Sequence, residues 1–326
     1  MSTARINDEV IPQIRQSPRA ELVAVASRDE GRARDYATGH EIGRAYGSYD
    51  ALLADEEIDC VYISVPNSEH APVSSAALSA GKHVLCEKPL AVSREEGEAL
   101  FQHAQECDRL LMEAFMYRHH DRTRLLGELV WGGGLGQVQV ITSTFNFRVE
   151  DPAVDIRYRP ELAGGALRDV GCYCVSLATH LAGTAPHRVE AAARVSSSGI
   201  DEVFAGLLAF GNGSMCLFDC GMSADLRIGV TIAGSDGVAR VATPWLPHLA
   251  PARIELWRGP TRTVIETSTA NPYLLEVENF CAAVAGERAP EISAAETLRN
   301  LGVMDELAAA ARLPNYRLES KGSGPR

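Results

Sequence analysis

A chain of 326 residues, 46% hydrophobic and 23% charged, is long enough for two domains of roughly 100–200 residues and too apolar to be disordered. Its 31 basic residues stand against 43 acidic ones, a formal net charge of −12, which excludes the basic face that nucleic acid or an anionic membrane requires. The eight cysteines include no Cys-x-x-Cys pair, no signal segment opens the chain, and no run of ~18 apolar residues occurs, so a cytoplasmic protein with neither a metal site nor a disulfide framework is expected.

In chain order, the first third alternates short apolar runs with helical stretches. Residues 21–26 are apolar and end at Ser27 and Arg28; residues 59–65 form a second run that stops at Pro66 and Asn67. Ser68 opens a helical pattern closed by Gly81, and a strand at 83–86, a capped helix at 93–107 and a strand at 110–116 follow. Apolar runs without alternation belong to strands covered on both faces, so residues 1–118 read as a Rossmann-like, doubly wound parallel α/β domain. After residue 120 the pattern changes. A helix at 121–131 ends in three glycines, and period-two strands follow at 138–147, 189–195, 203–210, 214–220, 228–233, 238–242, 254–257 and 263–267. With helices at 166–181, 273–284 and 294–311, residues 119–326 read as an α+β domain built on a large, mostly antiparallel open sheet. The polar tail 319–326 reads as frayed.

In an open parallel sheet the ligand lies at the carboxyl ends of the strands. Three consecutive ends deliver Pro66-Asn67-Ser68-Glu69-His70, Glu87-Lys88-Pro89 and Tyr117-Arg118-His119-His120. Later, Asp169 and Tyr173 stand four apart on a helical stretch and so share one face. A carboxylate, a phenol and an ammonium brought together form a proton-transfer group, in which Lys88 is expected to lower the pKa of Tyr173 toward neutrality. Each residue also has a plainer reading. Lys88 suits a surface turn, Tyr173 a buried helix face, Asp169 a helix cap, and His70 and His180 the protein interior.

The order and spacing of Pro66-Asn67…His70, Glu87-Lys88-Pro89 and Asp169…Gly171…Tyr173 resemble the glucose–fructose oxidoreductase / inositol dehydrogenase / rhizopine-catabolism (Gfo/Idh/MocA) family, over about residues 4–312. The Met116-Tyr117-Arg118, Asp155-Ile156-Arg157 and Gly164-Gly165-Ala166-Leu167 stretches are most similar to its dihydrodiol and xylose-type sugar dehydrogenases. The resemblance implies an NAD(P)-dependent oxidoreductase acting on a sugar, cyclic polyol or related carbonyl compound. Lys88, Tyr173 and Asp169 would be its catalytic residues, Arg157, Tyr117 and His180 its substrate contacts. Ala4, Arg5, Ile6, Pro66, Asn67, His70, Glu87 and Lys88 would hold the cofactor. The C-terminal sheet would carry the interface of a homo-oligomer, a dimer or tetramer.

One departure stands out. The family opens with a strand and a Gly-x-Gly-x-x-Ala-like loop that cradles the pyrophosphate, whereas Met1–Ile6 matches only the end of that loop and the start of its helix. The expectation is a first domain lacking its central strand, with the natural chain starting upstream of Met1. Two alternatives to a dehydrogenase stay open: a relative that has lost the phosphate loop and serves as sensor or assembly subunit, and a nicotinamide-independent lyase or isomerase. At the end of the second strand, where an acidic residue would take the ribose 2′-hydroxyl of NAD, stand Ser27 and Arg28, whose hydroxyl and guanidinium suit the 2′-phosphate of NADP. Asp29 next door keeps NAD open, and a helix cap at Ser27 is the plainer reading. The segments 151–162 and 244–251 are expected to decide the substrate.

Overall fold

The computed structural model describes residues 1–249 and 253–313; the tail at 319–326 and the end of the 244–251 segment lie outside them. Five short strands, β1 (Ala24–Ala26), β2 (Arg44–Tyr46), β3 (Cys60–Ile63), β4 (His83–Glu87) and β5 (Leu111–Ala114), alternate with helices α1 (Asn7–Gln16), α2 (Glu30–Gly39), α3 (Tyr49–Leu53), α4 (Asn67–Ser79) and α5 (Arg94–Glu106). Side-chain caps start several of the helices: Ser48 accepts from Ala51 N–H at α3, and Ser93 accepts from Glu96 N–H at α5. Gly81, at φ +76°, ends α4. All pairings are parallel, but the sheet is in two pieces, β1–β2 and β3–β4–β5.

Among the described residues no strand lies between β1 and β3. Their facing edges enclose an apolar cavity of about 160 Å³, lined by Val10, Val25, Val61, Leu85 and Phe280 among others. The amine of Met1 donates to Tyr62 C=O beside it, and Ser2 Oγ lies 2.7 Å from Ser64 Oγ. Short polar β2 and the five-residue α3 escape the sequence pattern because neither is long enough to show a period.

The chain then forms α6 (Asp121–Trp131), β6 (Val138–Arg148), a π-type turn at Leu167–Gly171 running into α7 (Cys172–Ala182), and strands β7 (Arg188–Val195), β8 (Asp201–Ala209), β9 (Met215–Gly221), β10 (Ser223–Gly234), β11 (Val238–Val241), β12 (Arg253–Arg258) and β13 (Thr261–Glu266). These eight strands make one sheet in the order β13-β12-β11-β10-β6-β9-β8-β7. Every neighbouring pair is antiparallel except β6–β9, which is parallel. Along β9, Cys216, Phe218 and Cys220 point into the core while Met215 and Leu217 face out. Helices α8 (Pro272–Val284) and α9 (Ala294–Ala310) return to the first domain, α8 against α1 and the turn after β5, α9 against α5 and α7. α9 opens with a capping box between Ser293 and Glu296. Among the described residues no helix is long and apolar enough to cross a membrane.

Candidate active site

Lys88 leaves the carboxyl end of β4 and crosses to the second domain. Its Nζ donates to the carbonyl of Asp169 at 2.8 Å, lies 3.5 Å from Asp169 Oδ1, and sits 5.1 Å from the centroid of the Tyr173 ring. The other carboxylate oxygen, Asp169 Oδ2, accepts from Arg157 Nε at 2.8 Å, while Arg157 Nη1 pairs with Asp155 and its guanidinium lies 5.6 Å from the Phe147 ring centre. Two glycines make this approach possible. A Cβ on Gly164 would lie 2.2 Å from Arg157 C=O, and Gly165, at φ +115°, would place one 2.1 Å from Asp201 Oδ1. Asp201 Oδ2 in turn accepts from Leu167 N–H at 2.7 Å and anchors the start of the π-type turn. Burial disfavours the charges of both Lys88 and Asp169, but their mutual attraction outweighs it: the lysine is held above and the carboxyl, with Arg157 helping, below its ordinary value.

Tyr173 closes the other side. Its ring packs edge-on against Phe115 and Phe145, both at 5.4 Å, and tilts against Trp245 at 5.9 Å and Tyr117 at 5.8 Å. Its hydroxyl lies 3.7 Å from Met116 Sδ. Burial, followed by the fields of Tyr273 and Glu87, raises the Tyr173 pKa well above that of a free phenol. This corrects the expectation that Lys88 lowers it. The ammonium sits at the ring, bound to Asp169, while the phenol oxygen is buried beside Met116 Sδ and within the field of Glu87, so its anion is disfavoured.

The remaining sequence candidates divide. Asn67, whose Nδ2 donates to Ala163 C=O at 2.9 Å, and Pro66 stand at the start of α4 on the cleft edge. Glu87 accepts from Tyr62 Oη at 2.6 Å and from Lys88 N–H at 3.3 Å. His70 does not face the cleft: it is 1% exposed and wedged between the carbonyls of Pro89 (2.8 Å) and Val65 (2.9 Å), so it ties two strand ends together. Tyr117 is 1% exposed with its hydroxyl 2.9 Å from Ser176 Oγ, because residues 116–119 coil into a 3-10 turn that points it inward. His180 lies away from Lys88, 3.6 Å from Glu296 and edge-on to Trp131. Sequence reasoning missed Trp245, fully buried with Nε1 3.3 Å from Thr144 C=O, and Asp155, the second partner of Arg157.

Residues 3–115 match the model of the oxidoreductase family with an NAD-binding Rossmann fold, and residues 123–240 match the GFO/IDH/MocA C-terminal domain. The chain belongs to the Gfo/Idh/MocA family. It is 39% identical over 305 residues to D-xylose 1-dehydrogenase (NADP(+)) 2 of Haloferax volcanii, covering 93% of each chain. To the trans-1,2-dihydrobenzene-1,2-diol dehydrogenase of Bos taurus it is 32% identical over 253 residues, 76% of this chain and 74% of that one. Its fold is similar to KijD10, a 3-ketoreductase from Actinomadura kijaniata solved with NADP and TDP-benzene, with a TM-score of 0.87, 27% identity and 95% of each chain covered.

A Gfo/Idh/MocA chain needs residues that accept a dinucleotide, and several here fit one. α1 starts without a side-chain cap at Ile6; the N–H groups of Asn7, Asp8 and Glu9 donate to the carbonyls of Ala4, Arg5 and Ile6, so the positive end of the helix dipole, not a row of open N–H groups, is what this end presents. At the end of β1, Ser27 is buried and Arg28 exposed. Asp29 caps α2 through one carboxylate oxygen, accepting from Arg32 N–H at 2.6 Å, and its own N–H donates to Ser27 Oγ at 3.3 Å. The carboxyl ends of β3 and β4 bring Pro66, Asn67, Glu87 and Lys88 to the same edge. The glycine cradle of the sequence pattern has no counterpart among the described residues.

Proposed function

We propose that this chain is an NADP-dependent dehydrogenase that interconverts a hydroxyl-bearing carbon of a small sugar or cyclic diol with its carbonyl. The observation that carries the reading is the convergence of Lys88 from the first domain with Asp169 and Tyr173 from the second. The bound nicotinamide supplies or takes the hydride; the protein handles the proton and the charge. Asp169 holds Lys88 by its carbonyl and carboxylate, so the third N–H of the ammonium is left to stabilise a developing alkoxide. In the reducing direction Tyr173 gives its proton to that alkoxide, and its raised pKa keeps the proton in place until the oxyanion forms. Arg157, fixed by Asp155 and Asp169 and 40% exposed, orients substrate hydroxyls.

The relatives support this reading. The xylose dehydrogenase is named for NADP(+), and forms of the 3-ketoreductase have been solved with a lysine changed to alanine or glutamate and a tyrosine to phenylalanine, at nearly the chain separation of Lys88 and Tyr173. The exposed guanidinium of Arg28 at the end of β1 suits the 2′-phosphate. The outward face of the large sheet, where Met215 and Leu217 are 41% and 42% exposed, is offered to a second copy of the chain.

The test is steady-state turnover on a panel of aldoses and cyclic diols. Lys88→Met and Tyr173→Phe are each expected to lower kcat at least about a hundredfold, or about 2.7 kcal/mol of transition-state stabilisation; near-normal rates remove them from the chemistry. Arg28→Ala is expected to raise the KM for NADPH about tenfold and leave that for NADH unchanged, as loss of one charged phosphate contact would do.

A further inference from the structure

Glu113 is a carboxylate inside an apolar strand, the third residue of β5, and only 1% exposed. Both of its oxygens are used. Oε1 accepts from Leu90 N–H at 2.9 Å and Oε2 from Thr297 Oγ1 at 2.8 Å, where Leu90 and Thr297 are themselves fully buried. Leu90 is two residues beyond Lys88, and the carbonyl between them, Pro89 C=O, is 2.8 Å from His70 Nδ1. The turn that carries the ammonium is thus held from both sides by buried polar side chains, one from α4 and one from β5. Thr297 extends the second hold to the first turn of α9.

We propose that Glu113 is a positioning residue for Lys88: by fixing Leu90 N–H and hanging it on α9, it sets where Nζ meets Asp169 and Tyr173. The proposal rests on the role given to Lys88 above. Without an acceptor at 113, Leu90 N–H is buried and unpaired, and the turn relaxes toward another partner. Nζ then leaves the 2.8 Å contact with Asp169 C=O, and a displacement of about 1 Å at a reacting group can lower the rate about a hundredfold.

Steady-state kinetics and one spectroscopic probe test this on the full chain. Glu113→Leu is expected to lower kcat about thirtyfold and leave the KM for NADPH within threefold. Glu113→Gln keeps both contacts, its carbonyl accepting Leu90 N–H and its amide donating to Thr297 Oγ1, and is expected within threefold of the native kcat. Thr297→Val, which spares the Leu90 bond, is expected to lower kcat about fivefold and decides the matter if leucine at 113 prevents folding. The sequence holds three lysines, Lys82, Lys88 and Lys321, so reductive 13C-methylation gives few NMR signals, and the one lost in Lys88→Met reports Lys88 without turnover. That signal is expected to move in Glu113→Leu and return in Glu113→Gln. An unmoved signal, or a glutamine variant as impaired as the leucine one, overturns the proposal. Native turnover in Lys88→Met with a moving signal instead overturns only the role of Lys88 and leaves the positioning intact.

Discussion

The two walls of the cleft are built from different forces. On the first-domain wall, Lys88 and Glu87 sit on a turn held by His70 Nδ1 at Pro89 C=O and by Leu90 N–H donating to Glu113, beside a sheet parted between β1 and β3. On the second-domain wall, Tyr173 is held by ring contact with Phe145 and Trp245 over an unbroken eight-stranded sheet, and Phe115 and Tyr117 of the first domain pack against it from across the cleft. The first wall places charge, which needs directional partners because an unpaired buried ion is costly. The second places a neutral ring, for which shape suffices. Asp169 is where they meet: its carbonyl and one carboxylate oxygen face Lys88, and the other oxygen faces Arg157.

Removing one anchor from each wall breaks the comparison most directly. Trp245→Ala empties the fully buried site behind the Tyr173 ring and is expected to lower stability by about 3–5 kcal/mol, the usual cost of removing a buried aromatic. Because packing is indifferent to salt, the loss should be the same at low and high ionic strength in urea unfolding. Asp169→Asn leaves Lys88 and Arg157 facing each other without their shared anion. The expected loss is smaller, about 2 kcal/mol, since the side chains of Lys88 and Asp169 keep 14% and 17% of their exposure to water. Here the loss should shrink as salt screens the two cations. A packing variant that responds to salt, or a charge variant that does not, would erase the distinction between the walls.

How much of this was legible in the sequence follows the same division. Lys88, Asp169 and Tyr173 could be read because strand ends and a four-residue helical spacing are local signals. His180 shows where such signals mislead. Seven residues after Tyr173 it returns to the same helix face, but about 10 Å further along the axis, beside Glu296 rather than Lys88. Tyr117 misleads differently, since the strand ends at Ala114 and the 3-10 turn that follows rotates the ring inward. Of the aromatic wall, Tyr117 and the segment that holds Trp245 are singled out by the sequence, but not their packing on Tyr173. Trp245 packs on Tyr173 from a segment held by contacts about a hundred residues or more apart in the chain: Arg122 donates to the carbonyls of Thr243 and Pro244, and Trp245 Nε1 to Thr144 C=O. Glu113 did leave a trace, a lone carboxylate in Leu110-Leu111-Met112-Glu113-Ala114-Phe115, which a strand buried on both faces does not admit without partners.

Near neutral pH the smallest expected effect concerns His70, the other hold on the turn of Lys88. Burial lowers its pKa from 6.5 to about 4, against the two backbone carbonyls that favour its charged form. Between these values the unfolded chain binds a proton that the folded chain refuses, so this histidine's contribution to stability is complete above about pH 6.5 and is lost as pH falls toward 4. The slope is at most one proton, or about 1.4 kcal/mol per pH unit. His70→Gln removes the titration and should flatten the acid limb of stability by up to that slope, measured as urea midpoints from pH 7 down to pH 4.5. The glutamine also separates two roles. If the neutral ring serves only to hold the turn by donating its single N–H to one of the carbonyls of Val65 and Pro89, an amide donating to that carbonyl preserves the turn, and kcat at pH 7.5 stays within a few-fold of native while the acid limb flattens. If kcat collapses while the acid limb is unchanged, then His70 is not the refused proton, and the first wall is held by something other than this pair of carbonyl contacts.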